Sequence, residues 1–288
     1  MNNTIILFGR IIRVKDVIIN IIVWCFALAW LFPFIGIVMM SILPSNIIWI
    51  YGWMRIPGLS EITFKNYENV LFNPSVDLAT GLRNSILVAS LSTLIPLLAS
   101  ALIAYAFNNF DFKMKGFLFG LLIFVMMVPQ QMCVIPLFLL YQRLKLYNTL
   151  AGIILLHSAW GIAWTSFFLR NYFRFIPKNL IEASRADGAS DIYIFAKIVL
   201  PLAKPGLIAA GVIQFTWVWN DLFYALVFLV DPNKYVITQK VVQFLGQHYI
   251  DWGALAAGSV ITMSLPLLLY MFFNKYFTQG VAGWGLKR

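Results

Sequence analysis

The sequence predicts an all-α polytopic membrane protein with six transmembrane helices. Of its 288 residues, 61% are hydrophobic and 11% are charged, whereas soluble globular chains are about half apolar and a quarter charged. A helix needs about 20 predominantly apolar residues to cross the bilayer core. Six segments meet that requirement, namely residues 17–43, 84–107, 116–140, 150–170, 205–230 and 254–274.

The first predicted span follows a short basic segment that lacks a small-residue cleavage site. We therefore expect residues 1–16 to be a cytoplasmic N-terminus leading into an uncleaved helix over residues 17–43. The long connection over residues 44–83 contains several Pro, Gly, Asn and Ser turn signals and is predicted to be a small folded extracytoplasmic loop. Residues 84–276 are predicted to form a five-helix core, and residues 277–288 a cytoplasmic C-terminal tail.

The lysine and arginine residues predict the orientation. If the N-terminus is cytoplasmic, 14 of the 21 basic residues lie inside, as the positive-inside rule requires. Both termini and the connection over residues 171–204 are then cytoplasmic. The net charge of +10 does not indicate a nucleic-acid partner, because the basic residues are spread over short loops instead of forming one contiguous face.

The cytosolic connection is predicted to be a helix–turn–helix. Pro177 suits the start of a helix over residues 178–187, and Gly188 suits the left-handed residue that ends it. Ser190 is predicted to cap a second helix that stops at Pro201. Its apolar stripe would comprise Ile192, Phe195, Ala196 and Val199.

The first of these two helices carries charges at helical spacing. Lys178, Glu182 and Arg185 are spaced for pairing on one face, beside small residues that would let another protein approach closely. An amphipathic helix resting on lipid headgroups has the same composition. The spacing alone does not decide between a docking helix and a helix on the membrane surface.

The stretch Glu182-Ala-Ser-x-x-Asp-Gly-Ala189, followed by Ile198-x-Leu-Pro201, resembles the EAA loop of ABC-importer permeases. The chain departs from that pattern in carrying Ser184 where the family has a second alanine. Asn84-Ser85 and Trp219-Asn-Asp221 further resemble the carbohydrate, maltose-type permeases that depend on a binding protein. The resemblance covers residues from about 60 to 285.

This resemblance implies a type I ABC importer permease fold in a bacterial inner (plasma) membrane. It implies a coupling helix seated in a cytosolic ATPase, a second homologous permease in a heterodimer, two ATPase subunits and an extracytoplasmic solute-binding protein. ATP and Mg²⁺ would bind the ATPase subunits, so that this chain holds no cofactor and is not an enzyme. The implied ATPase-coupling residues are Glu182, Ala183, Ser184, Asp187, Gly188, Ala189, Ile198, Leu200 and Pro201.

Polar residues inside two predicted spans are candidates for the substrate path. An ionisable side chain within a span usually faces the bundle or a water-filled cavity, and aromatic faces beside amides and carboxylates suit sugars. The candidates are Gln130, Gln131, Gln214, Trp217, Asn220 and Asp221. Alternatively, Trp219 and Asn220 of span five lie in an aromatic belt at the membrane interface, or Asp221 pairs with a basic residue of a partner subunit. His157 is expected to pack or to bond another helix.

Three other functions are weighed. An ABC importer for a non-sugar solute, such as a polyamine, would share the loop and differ only in the pathway residues. A stand-alone secondary transporter is disfavoured because no inverted repeat is visible. A membrane-embedded enzyme is disfavoured because the spans lack clustered His, Asp or Glu, and no Walker, HExxH or GxSxG motif occurs. No metal site is predicted.

Overall fold

The computed structural model describes residues 4–7, 10–54, 58–72, 76–246 and 250–282. Helices dominate this part of the chain, as predicted. They are α1 (Val14–Ser41), α2 (Ser45–Tyr51), α3 (Lys65–Phe72), α4 (Leu78–Asn109), α5 (Lys115–Met127), α6 (Val134–Arg143), α7 (Leu150–Phe173), α8 (Lys178–Ala186), α9 (Asp191–Ile194), α10 (Leu200–Leu202), α11 (Lys204–Trp219), α12 (Phe223–Phe228), α13 (Ile237–Val242) and α14 (Trp252–Ala282). A short antiparallel hairpin of β1 (Thr4–Leu7) and β2 (Arg10–Arg13) precedes α1 and was not predicted.

Four helices in the described residues are long and apolar enough to cross a membrane unbroken: α1, α4, α7 and α14. Two further segments pass the same test only as bent pairs. The third predicted span breaks between α5 and α6 with a bend of 91°, at the proline where a kink is expected. The fifth predicted span begins at Lys204, as Pro205 suggests, but its helix ends at Trp219, well before residue 230. Residues 191–202 form a second arm, at 74° to α11.

The chain divides into two units, of which the first comprises residues 1–71 and 244–260. The predicted outer loop is folded here. The Asn66 side-chain amide donates to the Ser41 and Leu43 carbonyl oxygens, at 3.0 and 2.7 Å. The Ser45 hydroxyl donates to the Asp251 carboxylate, and Gly253 leaves room for the Asn66 side chain. The two Asn66 bonds satisfy backbone carbonyl groups that the end of α1 would otherwise leave unpaired.

The second unit comprises residues 72–243 and 261–288, and its core is built on α4, α7 and α11. Small residues allow the helices to approach closely, which is how helices associate where lipid replaces water. Ser100 and Thr165 share a hydrogen bond of 2.5 Å between α4 and α7. Gly206 of α11 lies against the Tyr172 ring, where a Cβ would come within 2.5 Å.

The segment before α13 docks on the start of α4. The Asn84 amide donates to the Asn233 and Tyr235 carbonyl oxygens, at 2.9 and 3.0 Å. The Ser85 hydroxyl accepts from the Ile237 backbone at 2.8 Å. Lys240 is buried nearby, and burial lowers its pKa. Asn84 and Ser85 therefore hold an irregular segment in place.

Candidate functional sites: the loop around Gly188 and an aromatic cavity

The exit from α8 is a left-handed turn at Gly188, as predicted. Gly188 has a φ of +85°. Its N–H donates to the Arg185 carbonyl at 3.0 Å, and the Ala189 N–H donates to the Ser184 carbonyl at 3.0 Å. This pair of bonds is a Schellman motif, which satisfies the last carbonyls of a helix. The turn depends on glycine for its backbone conformation, since a Cβ there would meet nothing within 4 Å.

Substitutions of Gly188 test whether the turn depends on the left-handed backbone conformation of this residue. We expect Gly188→Val to destabilise the turn by about 1–2 kcal/mol, because a β-branched residue resists the left-handed region. Gly188→Asn should behave nearly as the parent, because asparagine tolerates that region. Hydrogen exchange of the Gly188 and Ala189 amides measures the turn directly. Equal protection in the two variants would contradict this account.

The second helix of the loop differs from its prediction. The Ser190 hydroxyl accepts from the Tyr193 N–H at 3.3 Å, which confirms the cap. The predicted stripe is partly wrong, because residues Phe195–Val199 form a π-helix. Ile194 and Val199, five residues apart, are the buried pair, while Ile192 is 81% exposed. A π-turn adds a residue to the helical turn and so changes which side chains share a face.

Pro201 does not end this arm. It lies inside α10, and the chain turns at Ala203, just before α11 begins. Pro201 lies in the last turn of the arm over residues 191–202, and the helix ends at Leu202. The predicted stop is therefore placed one residue too early.

Arg185 connects the loop to α4. Its guanidinium donates to the Asp191 carboxylate through Nη2 at 2.7 Å and Nε at 3.1 Å. The Tyr105 hydroxyl of α4 donates to the same oxygen at 3.1 Å. The Asp191 hydrogen bond raises the pKa of Arg185 above its ordinary value. The predicted pairing of Arg185 on the face of α8 is wrong, since the side chain turns to the next helix.

Glu182 is exposed and forms no ion pair within the described part of the chain. Ala183, Asp187 and Gly188 are exposed on the same short helix and its turn. Beneath them Ile181 is only 5% exposed and joins the hydrophobic core. The buried Ile181 side chain thus holds α8 against the core, and Glu182, Asp187 and the small residues beside them stay exposed.

The remaining loop residues divide by burial. Ile198 and Leu200 pack against the hydrophobic core, and Pro201 is exposed. Ser184 and Ala189 are half-buried. Apolar side chains also surround the exposed surface, with Leu180 at 45% and Tyr193 at 55% exposure. Clustered exposed apolar side chains are typical of contact surfaces.

A cavity of about 300 Å³ lies between α7, α11 and the two helix breaks. Its lining residues are Gln130, His157, Trp160, Gly161, Trp164, Gln214, Trp217, Val218, Asp221 and Tyr224. Irregular backbone at membrane depth is tolerated where it lines a cavity or is buried in protein. Both breaks, at Gln130 and at Asp221, meet that condition.

Gln214 is the fixed centre of the cavity wall. It is 3% exposed and accepts from Trp164 Nε1 at 2.5 Å. Its own amide donates to the Ser92 carbonyl at 3.0 Å. Gly161 makes room for it, because a Cβ there would lie 2.6 Å from Nε2. Gln214 is therefore held by the protein, and it orients Trp164.

Aromatic rings form the rest of the wall. The Trp164 and Trp217 ring centroids are 4.9 Å apart, and Trp217 is 59% exposed. The Tyr224 hydroxyl donates to the Gln130 carbonyl at 3.0 Å, tying α12 to the break before α6. A half-open tryptophan face beside fixed polar groups suits stacking of an amphipathic ligand.

Asp221 lies between α11 and α12, two residues before the first residue of α12. Its carboxylate accepts from the Tyr224 and Ala225 backbone N–H groups, at 3.4 and 3.1 Å. Its Oδ2 lies 3.6 Å from His157 Nε2. Asp221 thus both caps a short helix and brings a carboxylate to the cavity.

Four of the six predicted path residues line this cavity: Gln130, Gln214, Trp217 and Asp221. Gln131 and Asn220 are exposed and do not belong to its lining. The sequence reasoning missed His157 as a cavity residue and did not consider Trp160, Trp164 or Tyr224. The spacing of His157, Trp160 and Trp164 places them on one face of α7, but in a span that spacing does not show whether the face is turned to lipid or to the protein interior.

Comparison with known proteins identifies the family. Residues 96–283, which hold both the loop and the cavity, match the model of the binding-protein-dependent transport system inner membrane component. The chain belongs to this family. It is therefore a multi-pass inner-membrane permease, a transport subunit.

Individual relatives are similar in sequence to this chain over nearly its whole length. A probable ABC transporter permease protein of Pyrococcus horikoshii is 47% identical over 93% of this permease and 97% of its own length. The trehalose/maltose transport system permease protein MalG of Thermococcus litoralis is 31% identical over 91% and 93%. A chain in the crystal structure of a bacterial ABC transporter involved in the import of the acidic polysaccharide alginate has 25% sequence identity to this permease. It has a TM-score of 0.79 and covers 92% of this chain and 97% of that one.

Proposed function

We propose that this chain is a permease subunit of an ATP-driven, binding-protein-dependent importer of carbohydrate. The observation that carries the proposal is the cavity, in which tryptophan faces lie beside His157 and Asp221. The C–H faces of a sugar stack on aromatic rings, and its hydroxyls need both donors and acceptors. The trehalose/maltose relative supports the same class of solute.

The proposed substrate contacts are those that face the cavity. Trp217 supplies an exposed aromatic face, Gln130 an amide, and the His157–Asp221 pair a donor and an acceptor for hydroxyls. Gln214 acts through Trp164, whose ring it holds. Gln131 and Asn220 would contribute only if the helix breaks rearrange during transport.

The proposed coupling site is the surface of α8. Glu182, Ala183, Asp187 and Gly188 would contact a cytosolic ATPase subunit, with Ser184 and Ala189 fitting the edge of the contact. Ile198, Leu200 and Pro201 belong to the arm that carries the helix. ATP and Mg²⁺ would be held by the ATPase subunits, and this chain would hydrolyse nothing.

ATP binding drives transport only if it favours one conformation of the spans over the other. The Arg185–Asp191–Tyr105 contacts give the movement of α8 a route into α4. We expect α8, α9 and the end of α4 to move as one body.

The proposed assembly contains a second homologous permease in a heterodimer, two ATPase subunits and an extracytoplasmic solute-binding protein. In that assembly residues 1–16, 171–204 and 277–288 face the cytoplasm, and the folded outer loop over residues 44–83 faces the binding protein. Residues 84–276 carry the pathway. The helical structure of residues 277–282 makes the start of the tail an extension of α14.

A polyamine importer is the second candidate, because a carboxylate and no Lys or Arg appear among the lining residues of the described cavity. Proteoliposome uptake separates the two. The assembled importer, with its solute-binding protein, should accumulate a labelled neutral disaccharide and not labelled putrescine. Accumulation of putrescine alone would overturn the carbohydrate assignment.

A further inference from the structure

A basic cavity lies at the end of the bundle that carries the coupling loop. It has a volume of about 420 Å³ and is lined by Lys115, Arg170, Arg174 and Lys178 together with Asn109 and neighbouring residues. None of its ten lining residues is acidic in this described part of the chain. Lys115 pairs with Asp111 at 3.1 Å, but that carboxylate is fully exposed. Four like charges around one cavity repel one another, and an anion between them would relieve that repulsion.

The helix dipole opposes two of these four positive charges, so their positions do not stabilise the helices that carry them. Arg170 and Arg174 lie at the end of α7, where a positive charge is favourable. Lys115 and Lys178 are the first residues of α5 and α8, where a positive charge is unfavourable. Neither helix start has a side-chain cap. Uncapped helix N-termini bind phosphate groups well.

Arg170 is also incompletely satisfied. Its guanidinium stacks on the Phe119 ring, with Cζ 3.8 Å from the centroid. Its Nε is buried and has no hydrogen-bond partner. That buried Nε does not face the cavity, but the Arg170 side chain is part of the cavity lining, and a planar guanidinium binds phosphate oxygens through paired donors.

An apolar groove adjoins the basic cavity at Phe107, which lines both. The groove has a volume of about 470 Å³ and runs between α4, α5 and α7. Its lining is apolar, including Ile103, Leu118, Leu121 and Val125. A phosphate site that continues into an apolar groove fits a phospholipid, with its headgroup in the cavity and an acyl chain in the groove.

We propose that this basic cavity binds the phosphate of an anionic lipid headgroup. Basic pockets at the cytoplasmic ends of transmembrane helices suit such headgroups. Lys178 and Ile181 of α8 line the cavity, so that an occupied site would support the seat of the coupling helix. This proposal does not depend on which solute the permease carries.

The test compares lipids on the purified complex in detergent. Phosphatidylglycerol should raise the Tm by about 2–4 °C, whereas phosphatidylcholine and inorganic phosphate should not. The double variant Arg174→Gln/Lys178→Gln should lose the shift. Both side chains are exposed, so the variant is expected to fold.

The matched control is Lys113→Gln/Lys197→Gln, which removes the same charge from exposed positions outside the cavity and should keep the shift. Equal loss in both double variants would reduce the effect to general surface charge. The same Tm rise with inorganic phosphate would assign the site to a soluble anion. An equal Tm rise with phosphatidylcholine would show that binding does not depend on the negative charge of the headgroup. Each of these three results overturns the proposal.

Discussion

Replacing Glu182 with lysine should abolish binding-protein-stimulated ATP hydrolysis by the assembled importer, with a loss of at least about tenfold. Glu182 is exposed and has no ion pair within the described part of the chain, so its replacement should change the free energy of unfolding by no more than about 0.5 kcal/mol. In the docked complex the same change would place an unpaired cation in the contact, which costs several kcal/mol when the site is desolvated.

The control for this prediction is Asp111→Lys, the same change of charge at an exposed position before α5. It should retain stimulated hydrolysis, and Glu182→Gln should lie between the parent and the lysine variant. Stimulated hydrolysis that persists in Glu182→Lys would make α8 a helix that rests on the membrane surface, and the coupling assignment would fail.

Replacing Asp221 with asparagine should lower the initial rate of solute uptake about 10- to 100-fold. The reason is the lost hydrogen bond from a solute hydroxyl to a charged acceptor, which contributes about 1.5–3 kcal/mol. Asparagine caps a helix nearly as well as aspartate, and its one side-chain oxygen should keep one of the two bonds from the Tyr224 and Ala225 N–H groups. The measurement is uptake into proteoliposomes at saturating solute-binding protein.

Asp221→Ala distinguishes the two roles of this carboxylate. It should lose uptake and also destabilise the protein by about 1 kcal/mol, because the cap at the start of α12 is gone. Full uptake by Asp221→Asn, with a loss only in Asp221→Ala, would leave Asp221 as a structural cap and remove it from the substrate path.

The apolar segments and the turn after α8 could be predicted because they depend on local chemistry. The proline before α8 and the glycine after it act over a few residues, and each lies where the sequence indicates. Apolar length alone does not show that two of the six predicted spans are bent helix pairs. The π-helix over Phe195–Val199 could not be predicted, since it follows from packing of Ile194 and Val199 into a core built by distant helices.

The cavity shows a second limit of sequence reasoning. In a span, tryptophans and apolar residues occur on every face, because lipid and protein are both apolar surroundings, so periodicity says little about which face is inward. Trp164 and Gln214 meet only because α7 packs on α11. The approach of His157 to Asp221 depends on the same packing.

The central claim is that this permease couples ATP hydrolysis in partner subunits to solute uptake. The most direct measurement is uptake of labelled disaccharide into proteoliposomes that contain the complete complex, with solute-binding protein outside and ATP inside. We predict accumulation that requires ATP and binding protein and continues when ionophores collapse all ion gradients. Accumulation that needs an ion gradient, and proceeds without ATP, would contradict the account and make the chain a secondary transporter.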